Sequence, residues 1–191
     1  YEAERQRAIT LAEAVRLRQK AAEALRRANE QLTSEVKQRT QERDRLRQLF
    51  DQAPSFMCLL SGKDLVFELA NQTYLKLVGR NVIGLPLRQA LPEATTQGYF
   101  DILDHVYQTG EPFVGRSMPF RLQRTPGGPL EERFINVIYQ PVREPDGSIS
   151  RIFVEGYDVT EQKLAEEALQ RLNETLEQRV AQRTDELSVA L

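Results

Sequence analysis

Apolar residues recur at two different spacings along the chain, and the change of spacing divides it into three segments. In residues 1–50 and 161–191 they follow a narrow stripe at steps of three and four, which predicts long α-helices. In residues 51–160 they form short runs and alternating stretches, which predicts strands and short helices. All ten glycines and nine prolines fall in this middle segment. We therefore predict a helix over 1–50, a compact domain over 51–160 and a second helix over 161–191.

The two apolar stripes are narrow and have charged flanks, so each helix is expected to pair with another helix in a coiled coil. In the last helix the stripe repeats every eleven residues when Arg183 is counted, and this period unwinds a supercoil relative to strict heptads. A single solvated, charged helix is the alternative. The predicted dimer interface consists of Leu25, Leu32, Val36, Leu46, Phe50, Leu169, Leu172, Leu176, Val180 and Leu187.

The two helices also resemble each other in sequence. Residues 23–42 align without a gap with residues 167–186, at a constant offset of 144. The match keeps Asn29 against Asn173 and residues 38–40 against residues 182–184, in addition to the abundant Glu, Arg and Leu. A repeat at this period is typical of a tandem array of helix and domain. We therefore expect the chain to be a fragment of a longer protein, in which another module follows the second helix.

The middle segment shows strands grouped around helices. Apolar runs at 56–60 and 65–70 predict a β-hairpin. Residues 71–79 predict a short helix with Asn71 as N-cap and Gly79 as C-cap. A further one or two helical turns within 82–93 and a clearer helix over 99–109 follow, and then strands at about 113–123, 131–142 and 149–157. This order predicts an α+β domain with an antiparallel sheet.

Six segments of the middle domain stand in a fixed order: APSFMCLL (53–60), LANQTYLKLVGR (69–80), IGLPLRQALPE (83–93), YQTGEPFVG (107–115), NVIYQPVREPDG (136–147) and DVTEQK (158–163). Together they resemble successive landmarks of bacterial PAS domains, and the resemblance covers about residues 51–163. It implies the PAS fold, a five-stranded antiparallel sheet with short helices on one face, flanked here by long N- and C-terminal coiled-coil helices. Those helices resemble signalling helices, whose Glu-Arg-Thr element appears with Gln38 and Gln182 in place of the glutamate.

Asp158-Val159-Thr160 is the most specific landmark, because in PAS modules such an element joins the last strand to the output helix. Asp158 has capping-box spacing to Glu161, and Thr160 is an alternative N-cap. The resemblance implies a sensory or relay module of a bacterial two-component sensor histidine kinase, forming a parallel homodimer. Its signal would pass from the PAS core through Asp158 and Thr160 to neighbouring PAS or kinase domains of the same chain. A non-sensing structural spacer and a regulator of a diguanylate cyclase are the alternatives.

PAS relatives hold ligands between the sheet and the helices, which makes a small, unidentified ligand an open question here. The strand over 132–141 alternates, so that Arg133 and Tyr139 share one face and Asn136 lies on the other. The sequence does not tell which face points inward. An inward Arg133 would favour an anionic ligand, and an inward Asn136 a neutral polar one. Asn71 and Tyr74 complete the candidate pocket, although capping and packing explain them equally well.

Haem and flavin are not predicted as cofactors. His105 is the one histidine of the chain, and helical geometry places it opposite the apolar face of the helix over 99–109. We therefore expect it to face solvent rather than an iron atom. Cys58 lies in the first strand, outside the reactive-cysteine motif of flavin-binding relatives, and is expected to be a buried apolar residue. One histidine and one cysteine also leave no multi-histidine or cysteine-rich metal site.

The remaining function classes are excluded by charge and by missing motifs. The net charge is −2, and residues 1–50 interleave twelve basic with eight acidic side chains, so nucleic-acid binding is not expected. Neither a phosphate-binding loop nor a cyclase or kinase motif is present, so this chain is not expected to be an enzyme. Without a long apolar run or a signal peptide, we expect no membrane contact and a cytoplasmic location. A membrane anchor elsewhere in the parent protein stays open.

Overall fold

The computed structural model describes residues 1–125 and 127–189, with the side chains of residues 4–10, 12, 14 and 185–189 outside that description. The chain divides into two compact units, Tyr1–Leu49 and the part that starts at Phe50. The first unit is helical and forms most of α1 (Glu2–Gln52). Its surface carries ion pairs between residues four apart, with 2.7 Å between Glu35 and Arg39. Such exposed pairs each add only a few tenths of a kcal/mol to helix stability.

In the described part of the second unit, five strands form one antiparallel sheet in the order β2-β1-β5-β4-β3. The strands are β1 (Phe56–Ser61), β2 (Val66–Ala70), β3 (Phe113–Leu122), β4 (Glu131–Arg143) and β5 (Ile149–Asp158). The predicted α+β fold is confirmed, and each predicted strand agrees within one residue at each end. Although β5 comes last among the strands, it lies in the centre of the sheet, paired with β1 on one side and β4 on the other.

Short helices connect the hairpin to the last three strands: α2 (Gln72–Val78), α3 (Leu87–Ala90), a 3₁₀ segment (Pro92–Gln97) and α4 (Tyr99–Thr109). Local sequence sets their ends. The Asn71 side chain accepts a hydrogen bond from the N–H of Tyr74, and Gly79 ends α2 with a left-handed φ of 71°. Glycine adopts that conformation without the strain that a side chain brings. Gly110 ends α4 in the same way.

The hydrophobic core lies between one face of the sheet and these helices. Side chains from every strand and from α2, α3 and α4 contribute to it, and Phe67, Leu122, Val106 and Ile152 are fully buried. At Gly156 of β5 a Cβ would lie 2.1 Å from the carbonyl oxygen of Asn136, so only glycine fits this close approach of β5 to β4.

The last helix, α5 (Thr160–Val189), follows β5 almost directly, and residues 190–191 of the predicted helix lie outside the described residues. Among the helices of the described residues, none combines the length and the apolar content that a bilayer crossing requires.

Candidate functional site

An internal cavity of about 50 Å³ lies between the sheet and the helices. Its lining is mainly apolar and includes Leu103 of α4, Val137 of β4 and Val154 of β5. By this measure a water molecule needs about 10–15 Å³, so the cavity has room for a few waters or for a small apolar group. Drug-sized ligands occupy sites of roughly 300–1,000 Å³. A larger ligand would therefore have to displace side chains of the lining.

The side-chain polar atoms of the cavity wall belong to Cys58, Tyr74, Tyr99 and Tyr139, and the Tyr99 hydroxyl already donates to the Pro119 carbonyl at 2.8 Å. The Cys58 thiol lies next to the Tyr74 hydroxyl. Burial raises the pKa of the Cys58 thiol and of the Tyr74 and Tyr139 hydroxyls, so all of them are neutral at physiological pH. The cavity wall therefore offers hydrogen-bonding groups but no charged side chain, so the cavity suits an uncharged chemical group.

Of the predicted pocket residues, Tyr74 and Tyr139 line this cavity, whereas Asn71 does not. The Asn71 amide oxygen accepts from the backbone N–H groups of Met57 and Tyr74, both at 2.9 Å. Its amide nitrogen donates to the carbonyl oxygens of Phe50 at 3.1 Å and Ser55 at 2.9 Å. Because both ends of the amide are already used by the backbone, Asn71 fixes the entry to β1 and α2 and has little left for a ligand.

Asn136 does not line the cavity either, which corrects the prediction. The inward face of β4 carries Ile135, Val137 and Tyr139, and alternation along the strand puts Asn136 on the opposite face. There its amide oxygen accepts from the N–H of Ser117 at 2.8 Å. Ser117 has a positive φ of 48° and lies where the pairing of β3 with β4 shifts register. Asn136 thus stabilises the irregularity in β3, where the strand shifts register against β4.

Arg133 shares the inward face of β4 but lies near its first residue, beyond the cavity. It lines a separate cleft of about 300 Å³. One terminal nitrogen of its guanidinium lies 2.8 Å from Glu131, and the other lies 3.4 Å from Asp158. The hydrogen bond to Glu131 is the main cause that raises the pKa of Arg133 above its already high usual value, and the Asp158 carboxylate adds to it. Arg133 is therefore a permanent cation at the open end of the groove between sheet and helices.

The junction between β5 and α5 is held by Asp158 and Thr160. The Asp158 carboxylate accepts from the Thr160 N–H at 2.9 Å and also from the Thr160 hydroxyl. The Thr160 hydroxyl oxygen accepts from the N–H of Phe134 at 2.9 Å, while the Val159 N–H donates to the Phe134 carbonyl at 2.8 Å. The pairing of β4 with β5 thus continues onto the first residue of α5, with a hydroxyl oxygen in the place of a backbone carbonyl.

The cap of α5 differs in detail from the predicted capping box. The Asp158 carboxylate satisfies the first N–H group of the helix, that of Thr160, and the Val159 carbonyl accepts from the N–H of Lys163 at 2.8 Å. Val159 therefore occupies the N-cap position, and Asp158 precedes it. Phe134, the partner of Thr160 across the sheet, was not among the predicted residues. Its role depends on the register of β4 against β5, which a single sequence does not encode locally.

The profile of the PAS fold family matches residues 50–164 of the chain. The chain belongs to the PAS fold family. The match covers the sheet, the helices packed on it and the junction into α5. The internal cavity, the cleft beside Arg133 and the junction are therefore features of a PAS sensory domain.

Solved structures with similar folds include other PAS domains. An RNA-binding light-oxygen-voltage receptor superposes with a TM-score of 0.52 at 18% identity, covering 70% of this chain and 37% of that one. A PAS domain from Colwellia psychrerythraea matches with a TM-score of 0.48 at 16% identity, over 66% and 98% of the two chains. A sensory box sensor histidine kinase from Vibrio cholerae matches with 0.43 at 21%, over 66% and 98%. The chain thus spans little more than a third of the receptor, and the likeness to that receptor shows the fold alone.

The predicted dimer-interface side chains form an exposed apolar stripe on each long helix of this PAS protein. Those of Leu25, Leu32, Val36, Leu46, Leu169, Leu172, Leu176 and Val180 are 48–64% exposed. Phe50 is half-buried, and the side chain of Leu187 lies outside the described ones. Exposed apolar stripes of this length are typical of interaction surfaces. Their assignment to a dimer stays a prediction.

The two residues considered for cofactor chemistry lie as predicted. His105 is exposed on α4, and Cys58 is a buried free cysteine. No group of three or more potential metal ligands comes together within the part of the chain that the structure describes. The expectation that neither flavin nor haem binds stays a prediction, because it rests on the missing cysteine motif and on the helical position of His105.

Proposed function

We propose that this PAS domain is a sensory and relay module that acts as a parallel homodimer in a multidomain sensor, with a histidine kinase as its output. The observation that carries the proposal is the junction at Asp158 and Thr160. It joins α5 to β4 and β5 through hydrogen bonds and has no intervening loop. A change in the sheet therefore reaches the first turn of the helix directly.

The internal cavity is the proposed origin of the signal. Val154 of β5 and Tyr139 of β4 lie opposite each other in the sheet, and both side chains line the cavity. From Val154 to Asp158 is a distance of roughly 13 Å along the strand, at 3.3 Å per residue. A ligand that moves these two side chains acts on the same strand pair that holds Thr160.

The exposed stripes on α1 and α5 are proposed to pair with the same stripes of a second copy of this chain. The similarity of residues 23–42 to residues 167–186 supports one role for both helices, because the repeat preserves the stripe positions. A parallel arrangement brings identical positions together and lets both copies deliver the signal in the same direction. The kinase output rests on the resemblance of these helices to signalling helices.

Native mass spectrometry of the chain at low micromolar concentration tests the proposal. We expect a dimer, and we expect the Leu176→Lys variant to weaken it by about tenfold or more, because two ammonium groups would meet in an apolar seam. Gln178→Lys is the matched control, since it adds the same charge two residues away, off the stripe. A monomeric wild-type chain, or equal weakening of the dimer by both variants, would refute the proposed dimer. Extra mass on the dimer would identify a ligand and argue against a mere spacer.

A further inference from the structure

The cleft beside Arg133 collects basic side chains from three separate elements. Lys76 comes from α2, Arg124 from the segment after β3 and Arg133 from β4. Asp158 is the acidic side chain in the described lining of this cleft of about 300 Å³. Glu131 partly neutralises the group from one side, through its contacts with Arg133 and, at 4.0 Å, with Arg124. The balance in the cleft is positive, although the whole chain is slightly acidic.

These cations keep hydrogen-bond donors that the protein does not use. Within the described residues, the Lys76 ammonium has no ion-pair partner, and the buried Nε of Arg124 has no hydrogen-bond acceptor. Arg133 spends one N–H of each terminal nitrogen on Glu131 and Asp158, the second at a long 3.4 Å. A guanidinium carries five N–H donors, so part of its fork stays free.

We propose that this cleft binds a small oxyanion, a metabolite with a carboxylate or phosphate group, between Lys76, Arg124 and Arg133. Planar guanidinium groups bind both oxyanions with paired hydrogen bonds, and an ammonium adds a mobile third donor. The volume of the cleft lies at the lower end of the range for small-molecule sites.

The apolar part of such a ligand would rest on Phe56 and Leu77. Both side chains line the cleft and also the internal cavity, so they form the wall between the two spaces. The cleft therefore offers a small oxyanion an apolar surface beside its charged donors. This arrangement differs from the cavity itself, whose polar groups are uncharged at physiological pH.

Binding has a direct consequence for Asp158. An oxyanion that takes the free donors of Arg133 competes with the long contact between Arg133 and Asp158, which is the same carboxylate that caps α5. The cleft thus gives the junction a second input, separate from the cavity. This consequence rests on the proposed relay function, whereas the binding itself does not.

Isothermal titration calorimetry of the full chain with sodium phosphate, and separately with sodium malonate, tests the proposal at constant ionic strength. We expect saturable binding that Arg133→Gln and Lys76→Gln each weaken by about tenfold or more, as for the loss of a charge-assisted hydrogen bond. Arg116→Gln is the matched control, because Arg116 is exposed on β3 outside the cleft. Arg124 is left unchanged, since it donates to the Lys76 carbonyl at 2.9 Å and stabilises the end of α2.

The outcomes separate the alternatives. Loss of binding in the two cleft variants but not in Arg116→Gln supports the site, and the tighter of the two anions identifies the ligand group. No saturable binding of either anion, or equal weakening by Arg116→Gln, overturns it. Native mass spectrometry of the same samples reports the dimer independently, so failure of the cleft and failure of the proposed function are distinguishable.

Discussion

Replacing Thr160 by valine removes the hydroxyl that joins β4 to α5 while it keeps a branched side chain of similar size. The wild-type hydroxyl oxygen accepts from the Phe134 N–H at 2.9 Å, and the hydroxyl donates to the Asp158 carboxylate. Valine does neither. The Asp158 carboxylate still accepts from the backbone N–H of residue 160, so the start of the helix keeps one of its caps.

The expected cost follows from these two bonds. A partly buried N–H that loses its acceptor costs about 1–3 kcal/mol, and this is the position of Phe134 in the variant. The bond to Asp158 adds less than about 1 kcal/mol, because that carboxylate is partly exposed to solvent. We therefore expect Thr160→Val to lower the free energy of unfolding by about 2 kcal/mol.

Denaturant unfolding measures the free energy of unfolding, and amide hydrogen exchange measures the protection of individual N–H groups; together they test this prediction. Thr175→Val is the matched control, since the Thr175 hydroxyl donates to the Arg171 carbonyl within the exposed surface of α5. The control should change the free energy of unfolding by no more than about 0.5 kcal/mol. In Thr160→Val alone, the amide of Phe134 should exchange faster by about tenfold or more, and the first turn of α5 should lose protection with it.

Two results would refute this reasoning. If both variants cost the same, the Thr160 hydroxyl contributes only what any helix-surface hydroxyl does. If Thr160→Val is destabilised but the Phe134 amide stays protected, the sheet and the helix are not joined through this bond.

Two further predictions concern the PAS core. Asn71→Ala should lower the free energy of unfolding by about 3–5 kcal/mol, because it removes an N-cap and leaves buried backbone groups unpaired. The control is Asn81→Ala, which removes a cap from an exposed N–H and should cost no more than about 1 kcal/mol in denaturant unfolding. Equal costs would contradict the role given to Asn71. Burial raises the pKa of Tyr99 to about 12 and also raises the pKa of Tyr74 and Tyr139. The stability that these groups contribute is therefore complete below pH 10 and is lost as pH rises through the raised values, so tyrosinate absorbance should rise together with loss of circular dichroism. Ionisation of these side chains near pH 10, while the domain is still folded, would contradict this prediction.

The elements of the fold could be predicted because their signals are local. Glycine and proline mark the turns, alternation marks the strands, and Asn71 with Gly79 marks both ends of α2. The exposed position of His105 followed in the same way from the apolar face of a single helix. Each of these signals lies within a dozen residues, where the chain geometry alone relates sequence position to direction.

The site could be predicted only in part, because it depends on contacts between distant segments. The alternation of β4 defines two faces but not which of them meets the helices. The sequence therefore predicts Asn136 as a candidate pocket residue, whereas the structure places it on the opposite face. Arg133 belongs to the inward set, yet its position near the start of the strand places it at the cleft. Lys76 and Arg124 are 48 residues apart in the sequence and meet at that cleft, where one hydrogen bond joins them. No local sequence signal predicts that they meet.

The position of β5 explains why the junction suits a relay. A central strand is bonded on both sides, so β5 cannot shift alone: Gly156 lies against the Asn136 carbonyl and beneath the Phe56 ring. A displacement of β5 at Val154, beside the cavity, would therefore move β1 and β4 with it. It would also reach Thr160, because no flexible loop lies between β5 and α5. In the proposed dimer, two packings of the paired helices that differ by only a few kcal/mol would let a small rotation at the start of α5 select between them.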